Sequence, residues 1–175
     1  NCTAIDNGWV WNIPLWSRIG TGYVYSDKHI SPEDALQQFK DHLNSNKMTV
    51  PNNNRVTDDL VFRDISMRVG LHQKTWVKNV VAIGLSAGFI EPLESNGLFT
   101  VHEFLLNLVS VLQRGYGTQW DRDTYNTATK HLFDNFAEFV SLHYALSVRD
   151  DTPYWQEIKN KTFSPTMVAH TPTLS

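Results

Sequence analysis

Cysteine is nearly missing from this chain: Cys2 stands alone among 175 residues, so no internal disulfide can form and a reducing compartment, the cytoplasm, is the expected setting. Charge is scarce as well. Asp, Glu, Lys and Arg make up 19% of the residues, below the roughly 25% of an average soluble domain. Fifteen Lys and Arg against eighteen Asp and Glu leave a formal charge of -3. No basic cluster is present to track a phosphate backbone, so nucleic acid is not an expected partner. No apolar run approaches the roughly 20 residues of a membrane span, and no charged n-region with an apolar h-region opens the chain, so a membrane is not expected either. An initiator methionine is lacking too. The first residue is Asn1, which suggests an internal piece of a longer protein. What the chain does have is apolar content, 41%, with 12% aromatic residues, enough for a core and too much for a disordered segment.

The pattern along the chain predicts strands first and helices later, an α+β order. Trp9, Trp11 and Ile13 alternate with Val10 and Asn12 in a short strand with an aromatic face, ended by Pro14. Gly20-Thr21-Gly22 supplies turn chemistry before a second strand at Tyr23-Val24-Tyr25-Ser26. Ser31, Pro32, Glu33 and Asp34 form a helix start, followed by Ala35, Phe39 and Leu43 at helical spacing. Residues 44–59, rich in Asn, read as a loop. Alternation over Val61, Ile65, Met67 and Val69 predicts a half-buried strand, and the apolar run Trp76-Val77 with Val80-Val81-Ala82-Ile83 predicts one buried on both faces. Thr100 and Glu103 form a capping box before the stripe Val101, Phe104, Leu105, Leu108, Val109 and Leu112. A longer helix starts at Asp121 or Asp123 and runs towards His143, and a short one follows Asp151-Thr152-Pro153.

Between the last strand and the first late helix, Gly84-Leu85-Ser86-Ala87-Gly88-Phe89-Ile90-Glu91-Pro92-Leu93-Glu94-Ser95-Asn96-Gly97 mixes small residues, a proline and two acids, and cannot be one regular element. Its first five residues match G-x-S-x-G, a nucleophile elbow that would make Ser86 a hydrolase serine. Pro92 forbids the immediate helix such an elbow needs. The small residues otherwise serve a sharp turn, or let a flat cofactor lie against the main chain. Glu94 is either an ordinary helix-start carboxylate or one that handles a substrate proton. The amides of Asn96 and Gly97 form a nest open to an anion or to water. Seven histidines are scattered over different elements without zinc-type spacing, so no metal is expected.

Two of these blocks resemble one family. Trp9-x-Trp11-x-Ile13-Pro14, with Gly20-Thr21-Gly22-Tyr23-Val24-Tyr25-Ser26 after it, is similar to the W-x-W-x-I-P region of flavin-dependent halogenases, the tryptophan halogenase family. The segment Gly84 to Gly97 is similar to the stretch of that family that runs under the flavin and ends near the active-site glutamate. Trp76-Val77-Lys78-Asn79-Val80 and Asp151-Thr152-Pro153-Tyr154-Trp155 fall in family order. The resemblance implies part of an FAD-dependent monooxygenase-like α/β fold. It also implies a reaction in which reduced FAD and oxygen turn halide into hypohalous acid, which passes to a lysine beside an aromatic substrate. By motif position the resemblance implies that Glu94 is the catalytic glutamate, either positioning the electrophile or taking up the proton of the arenium intermediate, that Leu85 and Leu98 touch FAD, and that Asn96 and Gly97 hold the halide ion. It further implies that Trp9, Trp11, Ile13 and Pro14 shield the flavin from substrate. The implied partners are an aromatic small molecule and a separate flavin reductase, with a homodimer open to the complete protein. A flavoprotein monooxygenase is the related alternative.

Two departures stand out. Asn96 occupies a position where the family often has threonine, and neither the nucleotide-binding G-x-G-x-x-G nor the reactive lysine of the family's N-terminal half is present. Lys28, Lys74 and Lys78 do not lie in that lysine's context. Residues 1–161 are therefore expected to be a middle-to-C-terminal portion of a halogenase, inactive alone, with 162–175 as a loose tail.

Overall fold

Early strands and late helices make up the computed structural model, which describes residues 1–45, 57, 60–115 and 117–162. In chain order the elements are β1 (Cys2–Ile5), β2 (Gly8–Pro14), β3 (Ile19–Tyr25), α1 (Pro32–Ser45), β4 (Gly70–Leu71), β5 (Trp76–Val77), β6 (Val80–Val81), β7 (Gly88–Phe89), α2 (Asn96–Arg114), α3 (Gln119–Ala145) and α4 (Pro153–Thr162). The fold is α+β as expected. The chain divides into two compact units, one built from residues 1–65 and 148–160, the other from 66–147.

In the first unit, β1, β2 and β3 form an antiparallel sheet with β2 in the centre. The first hairpin, with Ile5 paired to Gly8 across Asp6 and Asn7, is an element the sequence reading did not anticipate. Gly20, Thr21 and Gly22 are not a turn. They lie inside β3, and the reversal falls at residues 15–18, where the Leu15 amide donates to the Arg18 carbonyl at 2.8 Å. Gly22 sits opposite Trp11, and a Cβ there would stand 2.6 Å from the indole, so the glycine exists to let the ring lie across the strand. Burial falls steadily along the aromatic face of β2: Trp9 is buried, Trp11 half-buried and Ile13 exposed.

The helix start at Ser31 is realised, with the Asp34 amide donating to Ser31 Oγ at 3.1 Å. Its stripe is buried as expected, and Val10, Phe39 and Leu43 make the core of the unit. Each Phe or Leu so buried is worth about 1.5–3 kcal/mol. α4 is tied to the first hairpin by Trp155 Nε1 on the Ile5 carbonyl at 2.8 Å and by Thr152 Oγ1 on the Asp6 carbonyl at 2.7 Å. Arg149 adds ion pairs to Asp6 at 3.1 Å and to Asp151 at 2.7 Å.

The expected strand Val61 to Val69 does not form. The segment carries no ladder until Gly70, and Val61 is 88% exposed. Phe62, on the opposite parity, is the residue that packs onto the core, edge-on to Phe39. Alternation alone cannot choose a face when no neighbouring strand is there to pair. The expected loop 44–59 lies outside the described residues apart from the end of α1 and Thr57, and the expected tail apart from Thr162.

In the second unit, the strand expected to be buried on both faces is instead the two-residue hairpin β5–β6, with Lys78 at φ 54° in its turn and Val77 and Val80 exposed. Asn126 of α3 does the work of a missing neighbour strand. Its Oδ1 accepts from the Thr75 and Trp76 amides at 2.8 and 2.7 Å, and its Nδ2 donates to the Trp76 carbonyl at 3.0 Å. Trp76, Val111 and Tyr125 form the core here. α3 starts two residues before the earlier of the two expected points, behind a Thr118–Asp121 capping box. α2 starts at Asn96, not at a Thr100 cap; Thr100 is already helical and its Oγ1 donates to the Asn96 carbonyl at 2.8 Å. Among the described residues no helix is long and apolar enough to cross a membrane.

Candidate active site

The segment Gly84 to Gly97 is irregular, as expected: a 3-10 turn at Gly84–Ser86, the short β7, a second 3-10 turn at Leu93–Ser95 and the first turn of α2. These pieces line a cleft of about 260 Å³ within the second unit. Leu85, Asn96, Gly97 and Leu98 all lie on its wall, with Phe89 and Phe133. The family resemblance implies Leu85 and Leu98 for FAD and Asn96 and Gly97 for halide; Asn96, Gly97 and Leu98 are adjacent in the chain, and the fold adds Leu85 to the same wall. The side chains of Leu85 and Leu98 are left bare, at 81% and 83% exposure. Two large apolar groups beside an apolar cleft form a surface suited to a flat apolar ligand or another protein surface.

The start of α2 supplies backbone amides at the cleft. The first amides of α2 have no acceptor within the helix, and the positive end of the helix dipole lies there, so an anion is favoured. The Asn96 side chain is not part of that donor set. It is buried, and its Nδ2 donates to the Glu91 carbonyl at 3.1 Å and the Leu93 carbonyl at 2.9 Å, clamping the preceding loop. Gly97 needs no special backbone here, and a Cβ added to it would meet nothing within 4 Å. Neither conformation nor packing within the unit calls for glycine at that position.

Glu94 and Ser95 occupy the left-handed region in succession, at φ 59° and 55°. A side-chain-bearing residue there costs roughly 1–2 kcal/mol, and strain of this kind gathers at functional sites. Ser95 makes no side-chain capping bond to α2, so nothing offsets its share. Ser95→Gly is therefore expected to stabilise the chain by about 0.5–1 kcal/mol after the extra flexibility of glycine is counted. A rise in the thermal midpoint checks this, and a fall contradicts it.

Glu94 is half-exposed and does not line the cleft. Its Oε1 stands 3.6 Å from His143 Nε2, at the last turn of α3. Next to it, the Tyr144 hydroxyl donates to both oxygens of Glu91, at 2.7 and 3.0 Å. Burial pushes the Glu91 carboxyl up, against the opposing effects of the Tyr144 hydrogen bond and the nearby His143. These two contacts fasten the strained loop to α3. The sequence reading missed them because nothing in the spacing of a helix end and a distant loop marks them as neighbours.

Trp9, Trp11, Ile13 and Pro14 belong to the first unit, on β2, with Trp9 buried at 4% exposure and Trp11 against Gly22. The hydrolase alternative fails on geometry. Ser86 Oγ donates to the Ile83 carbonyl at 2.8 Å and accepts from the Ile83 amide at 3.0 Å, so the hydroxyl closes a local turn and no histidine hydrogen-bonds to it among the described residues. A serine so engaged lacks the adjacent base that makes it a nucleophile.

A family model described as tryptophan halogenase matches residues 1–172. A 7-chloro-L-tryptophan 6-halogenase, KtzR, of Kutzneria sp. (strain 744) is 39% identical over 159 residues, covering 91% of this chain and 29% of the relative. Among solved structures, the tryptophan 6-halogenase SttH of Streptomyces toxytricini superposes with a TM-score of 0.82 at 38% identity, covering 96% of this chain and 31% of that one. The flavin-dependent halogenase BrvH of Brevundimonas sp. BAL3 gives a TM-score of 0.79 at 32% identity, over 96% of this chain and 32% of its own. The chain thus spans less than a third of the length of the relatives it matches.

Proposed function

This chain belongs to the tryptophan halogenase family, and from that membership we propose that it contributes the halide pocket, one face of the flavin site and the catalytic glutamate to a flavin-dependent halogenase of aromatic substrates. The observation that carries the reading is the convergence of Leu85, Asn96, Gly97 and Leu98 on one apolar cleft at the start of α2. Residues 1–161 are the middle-to-C-terminal portion of the enzyme, and the nucleotide-binding motif and reactive lysine lie in a preceding segment. A cytoplasmic setting suits a partner reductase that supplies reduced flavin.

The residues present fit the cofactor. The cleft is apolar, Leu85 and Leu98 are bare beside it, and Gly97 leaves open space where any other residue would put a side chain. Reduced FAD, when bound, supplies with oxygen the oxidising equivalent that makes halide electrophilic. Leu85 and Leu98 cover its apolar surface and keep bulk water away. The amides of Asn96 and Gly97 hold the halide by neutral dipoles, which strip part of its hydration without trapping it. Because the Asn96 side chain is committed to the Glu91 and Leu93 carbonyls, halide preference falls on backbone and on the shape of the cleft. Trp9, Trp11, Ile13 and Pro14 act as a barrier between flavin and substrate. Glu94 takes the proton that leaves the substituted ring carbon, at a carboxylate oxygen.

The direct test incubates the complete polypeptide with FAD, a flavin reductase, tryptophan and either chloride or bromide. Product carrying the halogen isotope pattern, formed only when halide is present, is the expected result. An oxygenated product formed equally without halide would replace this reading with a monooxygenase.

A further inference from the structure

His143 has no role in the chemistry so far, yet its geometry is defined on both sides of the ring. Nδ1 lies 2.8 Å from the Phe139 carbonyl oxygen one turn earlier, a contact only a protonated Nδ1 can make. The Phe139 ring meets the imidazole edge to face, with centroids 4.8 Å apart. With Nδ1 committed as a donor, Nε2 is the position left to exchange a proton, and it stands 3.6 Å from Glu94 Oε1. His143 also acts electrostatically on Glu91, whose oxygens accept from Tyr144. Among the described residues, Glu94 and Glu91 on the loop and the neighbouring Tyr144 on α3 are titratable groups near His143.

We infer that His143 is the proton-sharing and positioning partner of Glu94: the proton that Glu94 removes passes on to His143 Nε2 and from there to solvent. The inference rests on Glu94 as the proton acceptor proposed above. The ring C–H bond breaks and its electron pair returns to the aromatic system as an O–H bond forms on Glu94. That O–H bond breaks as N–H forms on Nε2, giving an imidazolium, and water then takes the Nε2 proton. No redox change is involved. The 3.6 Å separation closes to hydrogen-bond length by rotation of the Glu94 side chain, which is 54% exposed, and the 35% exposure of His143 gives the proton a way out. Once water has taken the Nε2 proton, Glu94 is again a carboxylate and Nε2 again carries a lone pair, so the pair is reset for the next turnover.

The test uses the complete polypeptide labelled with [15N]histidine, the His143 signals being assigned by their loss in His143→Gln. The expected result is a protonated Nδ1 and an Nε2 resonance that moves in Glu94→Gln. An unprotonated Nδ1, or an Nε2 resonance indifferent to Glu94→Gln, overturns the pairing. In steady state, His143→Ala is expected to lower kcat roughly three- to tenfold with KM for the aromatic substrate unchanged, and free imidazole to restore the rate. A raised KM with unchanged kcat, or no response to imidazole in a folded variant, overturns the relay. If His143→Ala does not fold, the resonances of the unsubstituted protein still decide. A protein that never halogenates defeats the proposed function and leaves the resonances to decide the pairing; a halogenase with an insensitive Nε2 defeats the pairing alone.

Discussion

Glu94→Gln in the complete polypeptide is expected to lower halogenation on the order of 10²–10³-fold, the scale of losing a positioned general base, while FAD affinity stays within twofold. Glutamine keeps the size, the left-handed backbone and the ability to hydrogen-bond, and it loses only the capacity to accept a proton. The carboxylate is half-exposed and absent from the cleft wall, so the flavin contacts proposed for Leu85 and Leu98 should be untouched by the change. Stability should move by no more than about 0.5 kcal/mol, as for other exposed substitutions outside the packed core. Turnover and a flavin titration on the same preparation separate the two effects. An unchanged rate would remove Glu94 from the chemistry, and a parallel loss of flavin would make it structural.

Gly97→Ala separates fold from function in the opposite sense. Within a helix, alanine is favoured over glycine by roughly 0.5–1 kcal/mol, and the added Cβ meets no protein atom within 4 Å. The variant should therefore fold at least as well as the parent. The same methyl group stands at the cleft wall where the anion must approach the helix amides, so halide affinity should fall on the order of tenfold to a hundredfold, comparable with the upper part of that range when an anion-hole donor is lost outright. The measurement is the halide concentration that gives half-maximal rate, together with the thermal midpoint. A destabilised variant would show that glycine serves packing after all. Unchanged halide dependence would show that no anion binds there.

What the sequence could and could not disclose follows from where each determinant lies. α1 and α3 were legible because their start signals are local, Ser31 with Pro32 and Glu33 for one and the acidic residues after Thr118 for the other, and because Ala35, Phe39 and Leu43 repeat at the helical period. The irregular segment from Gly84 to Gly97 was legible as irregular, since small residues, Pro92 and paired acids fit no period. Strands fared worse. Val61 to Val69 alternates without a partner, and Phe62 rather than its neighbours found the core. At Trp76, hydrogen bonds that a strand should have provided come from Asn126 on α3, which no window of sequence around Trp76 contains. The first hairpin had its signal, Asp6-Asn7-Gly8, in plain view. The start of α2 was placed at Thr100 because Thr100 and Glu103 mimic a capping box, although the helix already begins at Asn96.

The candidate site divides the same way. The amides of Asn96 and Gly97 could be selected from the residues of one contiguous segment, whereas Leu85 and Leu98 were selected only through the family resemblance. The long-range portion of the site could not be selected: the Tyr144 bond to Glu91 and the approach of His143 to Glu94 depend on how the loop meets the far end of α3.

Crystals of the complete polypeptide grown in bromide, measured at the bromine absorption edge, test the central claim most directly. Anomalous density in the cleft within contact of the Asn96 and Gly97 amides, reduced in Gly97→Ala, is the expected result. Bromide bound elsewhere, with that position empty in an enzyme that still halogenates, would contradict the assignment of the start of α2 as the halide site.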